Sequence, residues 1–492
     1  MRRAGAALRL GLAGLAWLTG LSWAQSPLEP CRVEGIKTEV RCGVLRRALN
    51  PAQPSGAQID IHYMVVPALA RRKLPDPVFL LAGGPGQSAI DVAPGLLAQW
   101  RRLYNRRDLV FVDQRGTGKS APLMCPDERA TPLAQQLDAE RGQARLRQCL
   151  AELKKLPYGD LRFFTTTLAM QDLDAVRLAL GFGQINLVGV SYGTRAALEY
   201  MRQFAPNVRR SVLDGVAPPD MVLPDSLSAD SQAALDALFS ACSADTDCAK
   251  RYLNLSENWR QMLAQLPQEV SLTDPLTGAR ERVLLTRQTL LGAVRGPLYA
   301  PALAAALPEA LAQATRGDFG GLMGLNALVT PRGPHRLAEG MHFSVLCAED
   351  APFLAKSLAK PTQSPARDFG PEFAEQYEKT CSFWPRGEVP PAFYSVPASR
   401  APVLVLSGGL DPATPPRHAA RVVQALGPQA RHVQVANAGH GVLALGCMAD
   451  VLYRFVNAAD DSQALAIDTD CAQAMPRPPA FAPVSVLPRG AP

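Results

Sequence analysis

The chain has 492 residues, 47% of them hydrophobic and 19% charged, with a formal net charge of +7. That supplies apolar material for more than one ordinary core and excludes disordered and fibrous classes. The 38 glycines and 43 prolines are dispersed without a period, so they signal many turns and neither a repeat nor a low-complexity block.

Residues 1–24 read as an export signal: Arg2 and Arg3, an apolar run over 10–21, then Ser22-Trp23-Ala24 as a small-x-small cleavage site. The run is shorter than the roughly 20 residues a spanning helix needs. No second such run follows, so an exported protein, periplasmic or secreted, without a membrane span is expected. Without the leader's Arg2, Arg3 and Arg9 the charge falls to about +4, scattered and without a basic stripe, which argues against a nucleic-acid partner. The sequence is silent on oligomeric state. In an oxidising compartment the ten cysteines would pair, and they fall into near neighbours. The expected pairs are Cys31 with Cys42, Cys125 with Cys149, Cys242 with Cys248, Cys347 with Cys381 and Cys447 with Cys471. Neither Cys-x-x-Cys nor His-Glu-x-x-His occurs, so no metal and no cofactor are expected.

Along the chain, 59–65 alternates apolar and polar residues and predicts a strand at an antiparallel edge. Short apolar runs at 78–81, 109–112, 185–190, 211–213, 403–406 and 432–435, separated by helical patterns, predict an α/β fold with a buried, mainly parallel sheet. A helix is expected after Thr414 as N-cap, with Pro415 in its first turn, Ala419, Val422, Val423 and Leu426 on one face and Gly427 closing it. Met448, Val451, Leu452 and Phe455 predict another. The block 216–399 is rich in Ala, Leu and Pro and too long for a loop. It predicts a mostly helical cap inserted into a catalytic domain split between 25–215 and 400–492.

The strongest chemical signal is Gly189-Val190-Ser191-Tyr192-Gly193, directly after a predicted strand and before a predicted helix. A nucleophile on such a sharp turn needs small neighbours two positions either side, and the following helix N-terminus favours developing negative charge. Ser191 needs a base, expected late in the chain; His440, in Ala438-Gly439-His440-Gly441 beyond the last predicted strand, fits. His62, His418 and His432 have structural readings on a strand or at element starts, and His335 and His342 lie in the insert. The orienting acid is expected to be Asp411, in Gly408-Gly409-Leu410-Asp411-Pro412, with Asp214 its competitor. Backbone donors for an oxyanion hole are expected from Tyr192 and from Gly83 or Gly84, in Gly83-Gly84-Pro85-Gly86 after an earlier strand. The run Asp113 to Ser120 ends in Gly-Lys-Ser, but Asp113 occupies the first glycine position of a phosphate loop, so a structural or pocket-lining loop is expected.

Together, Gly-Gly-Pro-Gly, Asp-Gln-Arg-Gly-Thr-Gly-x-Ser, Gly-x-Ser-Tyr-Gly-Thr, Gly-x-x-Asp-Pro and Gly-His resemble the α/β-hydrolase serine peptidases of the prolyl aminopeptidase and tripeptidyl aminopeptidase group. The likeness runs from about residue 59 to 471 and is nearest in tone to the secreted tripeptidyl branch. Ala82 and Tyr192 stand where prolyl aminopeptidases usually carry histidine and often carry tryptophan. The resemblance implies removal of short units from a peptide's free amino terminus through an acyl-enzyme. It also implies cap acids that hold the substrate ammonium: Glu349 first and Asp350 second, in Phe343-Ser344-Val345-Leu346-Cys347-Ala348-Glu349-Asp350. An esterase or lipase would use the same triad, and a non-catalytic binding protein the same fold.

Overall fold

A computed structural model describes residues 28–128, 131–330, 336–359 and 368–483; the expected leader and His335 lie outside them. The strands are β1 (Glu29–Cys31), β2 (Val40–Ala48), β3 (Gln58–Val66), β4 (Val78–Leu81), β5 (Leu109–Val112), β6 (Ile185–Val190), β7 (Val208–Asp214), β8 (Gln268–Thr273), β9 (Arg280–Leu285), β10 (Val403–Gly408) and β11 (Ala430–Val435). Nine of them form one sheet in the order β1-β2-β3-β5-β4-β6-β7-β10-β11. From β5 to β11 every pairing is parallel, and from β1 to β5 antiparallel.

The parallel strands read as unbroken apolar runs because both faces are covered: Phe79 and Leu81 enter one core cluster, Val78 and Leu80 the other. The alternating segment 59–65 is not at the edge. β3 pairs with both β2 and β5, and β1 forms the edge beyond β2. Partly exposed β2 carries Arg41, Arg46 and Arg47 among its few apolar residues, which hid its period.

β7 and β10 are parallel neighbours, with Ser211 opposite Val403 and Asp214 opposite Leu406. The chain between them therefore leaves the sheet and returns beside the strand it left. It is mostly helical and has its own apolar cluster around Leu235, Trp259, Leu290 and Leu311. It also contains a hairpin, β8 with β9, absent from the sequence reading because each strand is six residues long and exposed on one face.

All ten cysteines form the five neighbour pairs expected. Cys347–Cys381 ties the helix Glu339–Glu349 to the helix Glu372–Cys381. Among the described residues no helix is long and apolar enough to cross a membrane.

Candidate active site

Ser191 sits between β6 and the helix Tyr192–Phe204 with φ 56° and ψ −126°, a conformation rarely adopted by a residue with a side chain. The flanking glycines are obligatory for steric reasons. A Cβ on Gly193 would stand 2.0 Å from the Leu81 carbonyl oxygen, and one on Gly189 would stand 2.5 Å from the Gly193 carbonyl oxygen. Gly83 lies against the nucleophile, its would-be Cβ 3.1 Å from that of Ser191, so the loop after β4 and the N-terminus of the elbow helix converge there.

His440 Nδ1 is 2.8 Å from Asp411 Oδ2, and Asp411 is 2% exposed. Burial alone would raise this carboxyl, but the charge and hydrogen bond of His440, with the Thr414 and Ala413 N–H groups, outweigh it and hold it below the usual range. Burial likewise opposes protonation of His440, and the Asp411 charge overcomes it, raising the imidazole above its ordinary value. The competitor Asp214 is not on the imidazole. Its oxygens accept from the Val442 and Leu443 N–H groups, fixing the turn after His440, and burial pushes it up to about 6.

The histidine ring faces the elbow: a Cβ on Gly215 would stand 3.3 Å from His440 Cε1, and the adjacent Asp214 carbonyl accepts the Ser191 N–H at 2.9 Å. No hydrogen bond joins Ser191 Oγ to His440 in this structure; contacts of this type often tighten only with substrate in place.

Thr414 differs from expectation. The helix Pro416–Leu426 is capped by Pro415, while Thr414 Oγ1 donates to Asp411 Oδ2 at 2.8 Å and lies 3.1 Å from His440 Nδ1. The threonine thus braces the acid.

Ser191 opens into a cavity of about 370 Å³ whose wall includes Arg295, Tyr299, Glu339, His342, Phe343 and Tyr377. Glu349 and Asp350, which the resemblance implies as ammonium-binding acids, do not line that wall. Asp350 accepts from Arg195 at 2.8 and 3.2 Å and from the Leu223 N–H, locking the elbow helix to the chain leaving β7. Glu349 accepts from the Thr166 N–H through Oε1, while its buried Oε2 has no hydrogen-bond partner and lies 3.6 Å from Arg195. Desolvation, partly offset by Arg195, pushes Glu349 up to about 7. Such an acid stabilises the fold fully below its ordinary value, and that contribution is lost as pH rises through about 7. Between pH 5 and 8 the wild type is therefore expected to lose about 2–3 kcal/mol through this group. Unfolding curves of Glu349→Gln should be flatter with pH by that margin; parallel curves would refute it.

Glu339, His342 and Leu346 share one helix face at the cavity, a three- and four-residue spacing legible in the sequence just upstream of the segment singled out for its acids. Glu339 is held by Arg145 through two hydrogen bonds. His342 bridges the Pro85 carbonyl, 3.0 Å from Nδ1, and the Tyr377 hydroxyl, 2.9 Å from Nε2, so it fastens the loop after β4 to the cavity wall. Burial lowers its pKa. The run 113–120 is structural: Asp113 accepts from Ser88 Oγ and two backbone N–H groups, and Arg115 pairs with Asp172 at 2.7 and 2.9 Å. Among the described residues no group of three or more His, Cys, Asp or Glu could hold a metal ion.

Comparison with known proteins accords with this geometry. The family described as alpha/beta hydrolase fold matches residues 76–288, and the family described as TAP-like protein matches 364–471. The chain is similar to serine protease Hip1 of Mycobacterium tuberculosis, 26% identical over 430 residues, 78% of this chain and 80% of that one. It is similar to the tripeptidyl aminopeptidase of Streptomyces lividans, 30% identical over 44% of this chain and 40% of that one. It is also similar to carboxylesterase B of Mycobacterium tuberculosis, 28% identical over 79% of this chain and 78% of that one. The chain has the α/β-hydrolase fold and carries a TAP-like segment toward its carboxyl terminus.

Proposed function

We propose that this enzyme is an exported serine aminopeptidase that releases short units from the free amino terminus of peptides. The observation that carries the reading is the shared cavity of Ser191 and Glu339, a nucleophile and a carboxylate that reaches the wall from a helix of the insert. Relatives named serine protease and tripeptidyl aminopeptidase support it.

In the reaction His440 takes the Ser191 proton as Oγ attacks the scissile carbonyl, and Asp411 stabilises the imidazolium that forms. The Tyr192 N–H and a Gly83 or Gly84 N–H receive the oxyanion. His440 then protonates the leaving amine, and water, deprotonated by the same imidazole, releases the amino-terminal unit. Because His440 must be neutral to act as base, kcat/KM is expected to rise with pH through a value above that of an ordinary histidine. Residues 216–399 act as the cap that limits access.

Glu339, rather than Glu349 or Asp350, receives the substrate ammonium in this reading. Glu339→Gln is expected to reduce the preference for free over acetylated amino termini by about tenfold. An unaltered preference would remove Glu339 from this role. The decisive experiment is a panel of aminoacyl, dipeptidyl, tripeptidyl and short-acyl ester chromogenic substrates, with Ser191→Ala as control. Turnover confined to the esters would move the enzyme to the carboxylesterase reading, which the 28% identical relative favours.

Export accords with five disulfides and no free cysteine among the described residues. Protein recovered from outside the cytoplasm should show no titratable thiol until it is reduced.

A further inference from the structure

The cavity that holds Ser191 contains two charged side chains, and they are not alike. Glu339 has its counter-ion in Arg145. Arg295, from the helix Arg287–Leu298, has none: among the described residues no carboxylate lies within ion-pair distance of it. Its Nη2 donates to the Tyr299 hydroxyl, its guanidinium carbon is 5.2 Å from the centre of that ring, and its buried Nε has no partner.

A guanidinium partly removed from water without a counter-ion is costly to hold, and its planar fork suits a carboxylate. Its field also reaches the catalytic base and the cavity wall, since it acts on both His440 and Tyr377. The Tyr299 bond uses one of its five donor positions. Arg295 itself lines the space into which Ser191 opens.

We propose that Arg295 is a carboxylate-recognition group and that the preferred amino-terminal unit carries an acidic side chain. Resting on the aminopeptidase reading, this divides recognition in two, with the substrate ammonium toward Glu339 and a side-chain carboxylate toward Arg295.

A competing role is positional. Tyr299 packs edge-on against His440 with ring centres 5.0 Å apart, and its carbonyl accepts the His440 N–H at 2.9 Å, so Arg295 could serve only to seat Tyr299. The roles separate by substrate, because misplacing Tyr299 slows every substrate alike, whereas a lost counter-ion slows only acidic ones.

The test uses paired chromogenic peptides with Glu or Gln at each of the first three positions, together with the 4-nitrophenyl esters of glutaric acid and of its monoamide. They are assayed with the wild type, Arg295→Gln and Arg295→Lys on the pH plateau. The wild type is expected to favour the acidic member at one position by about 10- to 100-fold in kcat/KM, mostly through KM. In Arg295→Gln that ratio should collapse toward one, and Arg295→Lys should retain part of it. Equal rates for both members in the wild type overturn the proposal, as does a ratio unchanged in Arg295→Gln while both members slow together. If peptides are not cleaved and esters are, the aminopeptidase reading fails while the glutarate pair still decides the role of Arg295.

Discussion

Ser191→Gly is expected to lower kcat by about 10⁶-fold and, in the same protein, to make the fold more stable. The first effect follows from loss of the attacking oxygen, with only the oxyanion donors and binding left to act. The second follows from the backbone. Ser191 is held at φ 56° and ψ −126°, where a side chain costs about 1–3 kcal/mol and glycine little. Its Oγ makes no hydrogen bond among the described residues, so removing it breaks none. The added freedom of an unfolded glycine returns about 0.4–1 kcal/mol of the gain. A net rise of about 1 kcal/mol remains, to be measured by denaturant unfolding at fixed pH. Ser191→Ala supplies the comparison: the same loss of turnover without the gain, because alanine keeps the Cβ. If both variants unfold at the same midpoint, the elbow stores no strain.

What could be read from the sequence follows from what was local. The strands β4, β5 and β6 are bounded by turn residues and buried on both faces, so composition alone marks their ends. The elbow was legible because its two glycines answer to steric contacts with Leu81 and with each other, within a few residues or one strand away. Asp411, just beyond β10, and Asp214, at the end of β7, sit at the ends of adjacent parallel strands, so both stand as candidate acids in sequence. The fold separates the two: Asp411 meets His440 Nδ1, while Asp214 takes the N–H groups of the turn after it. Thr414 has the sequence context of a good cap, a threonine before a proline-led helix, but its hydroxyl goes to Asp411, three residues earlier, and lies against His440 from a distant turn. The pairing of Glu349 and Asp350 with Arg195, which belongs to the elbow helix, is invisible in sequence because it spans more than 150 residues of chain. An acid's charge is visible in sequence, whereas its counter-ion is a property of the fold.

That difference between two similar aspartates yields the other large effect. Asp411→Asn is expected to lower kcat by about 10⁴-fold, because a carboxamide facing Nδ1 can present its NH₂ and hold the imidazole in the wrong tautomer. The surroundings favour that orientation. Oδ1 of Asp411 accepts the Ala413 and Thr414 N–H groups, so the carbonyl oxygen of an asparagine satisfies them best from that side, leaving its NH₂ toward His440. The field at the imidazole changes as well. Without the Asp411 charge the main cause raising His440 disappears and burial, which lowers it, remains, so the acid limb of kcat/KM should move to lower pH while the plateau collapses.

Asp214→Asn should behave otherwise. The Val442 and Leu443 N–H groups both reach Oδ2 at 2.9 Å, so one carboxamide oxygen can accept both and keep the turn. Its replacement also removes a buried carboxyl already pushed up to about 6, which costs stability as pH rises through that value. Activity within about tenfold of wild type and a firmer fold at pH 8 are expected. Rates and unfolding midpoints of the two variants, measured side by side from pH 5 to 9, decide the assignment. A 10⁴-fold loss in Asp214→Asn with a mild one in Asp411→Asn would exchange their roles and place the catalytic acid on β7.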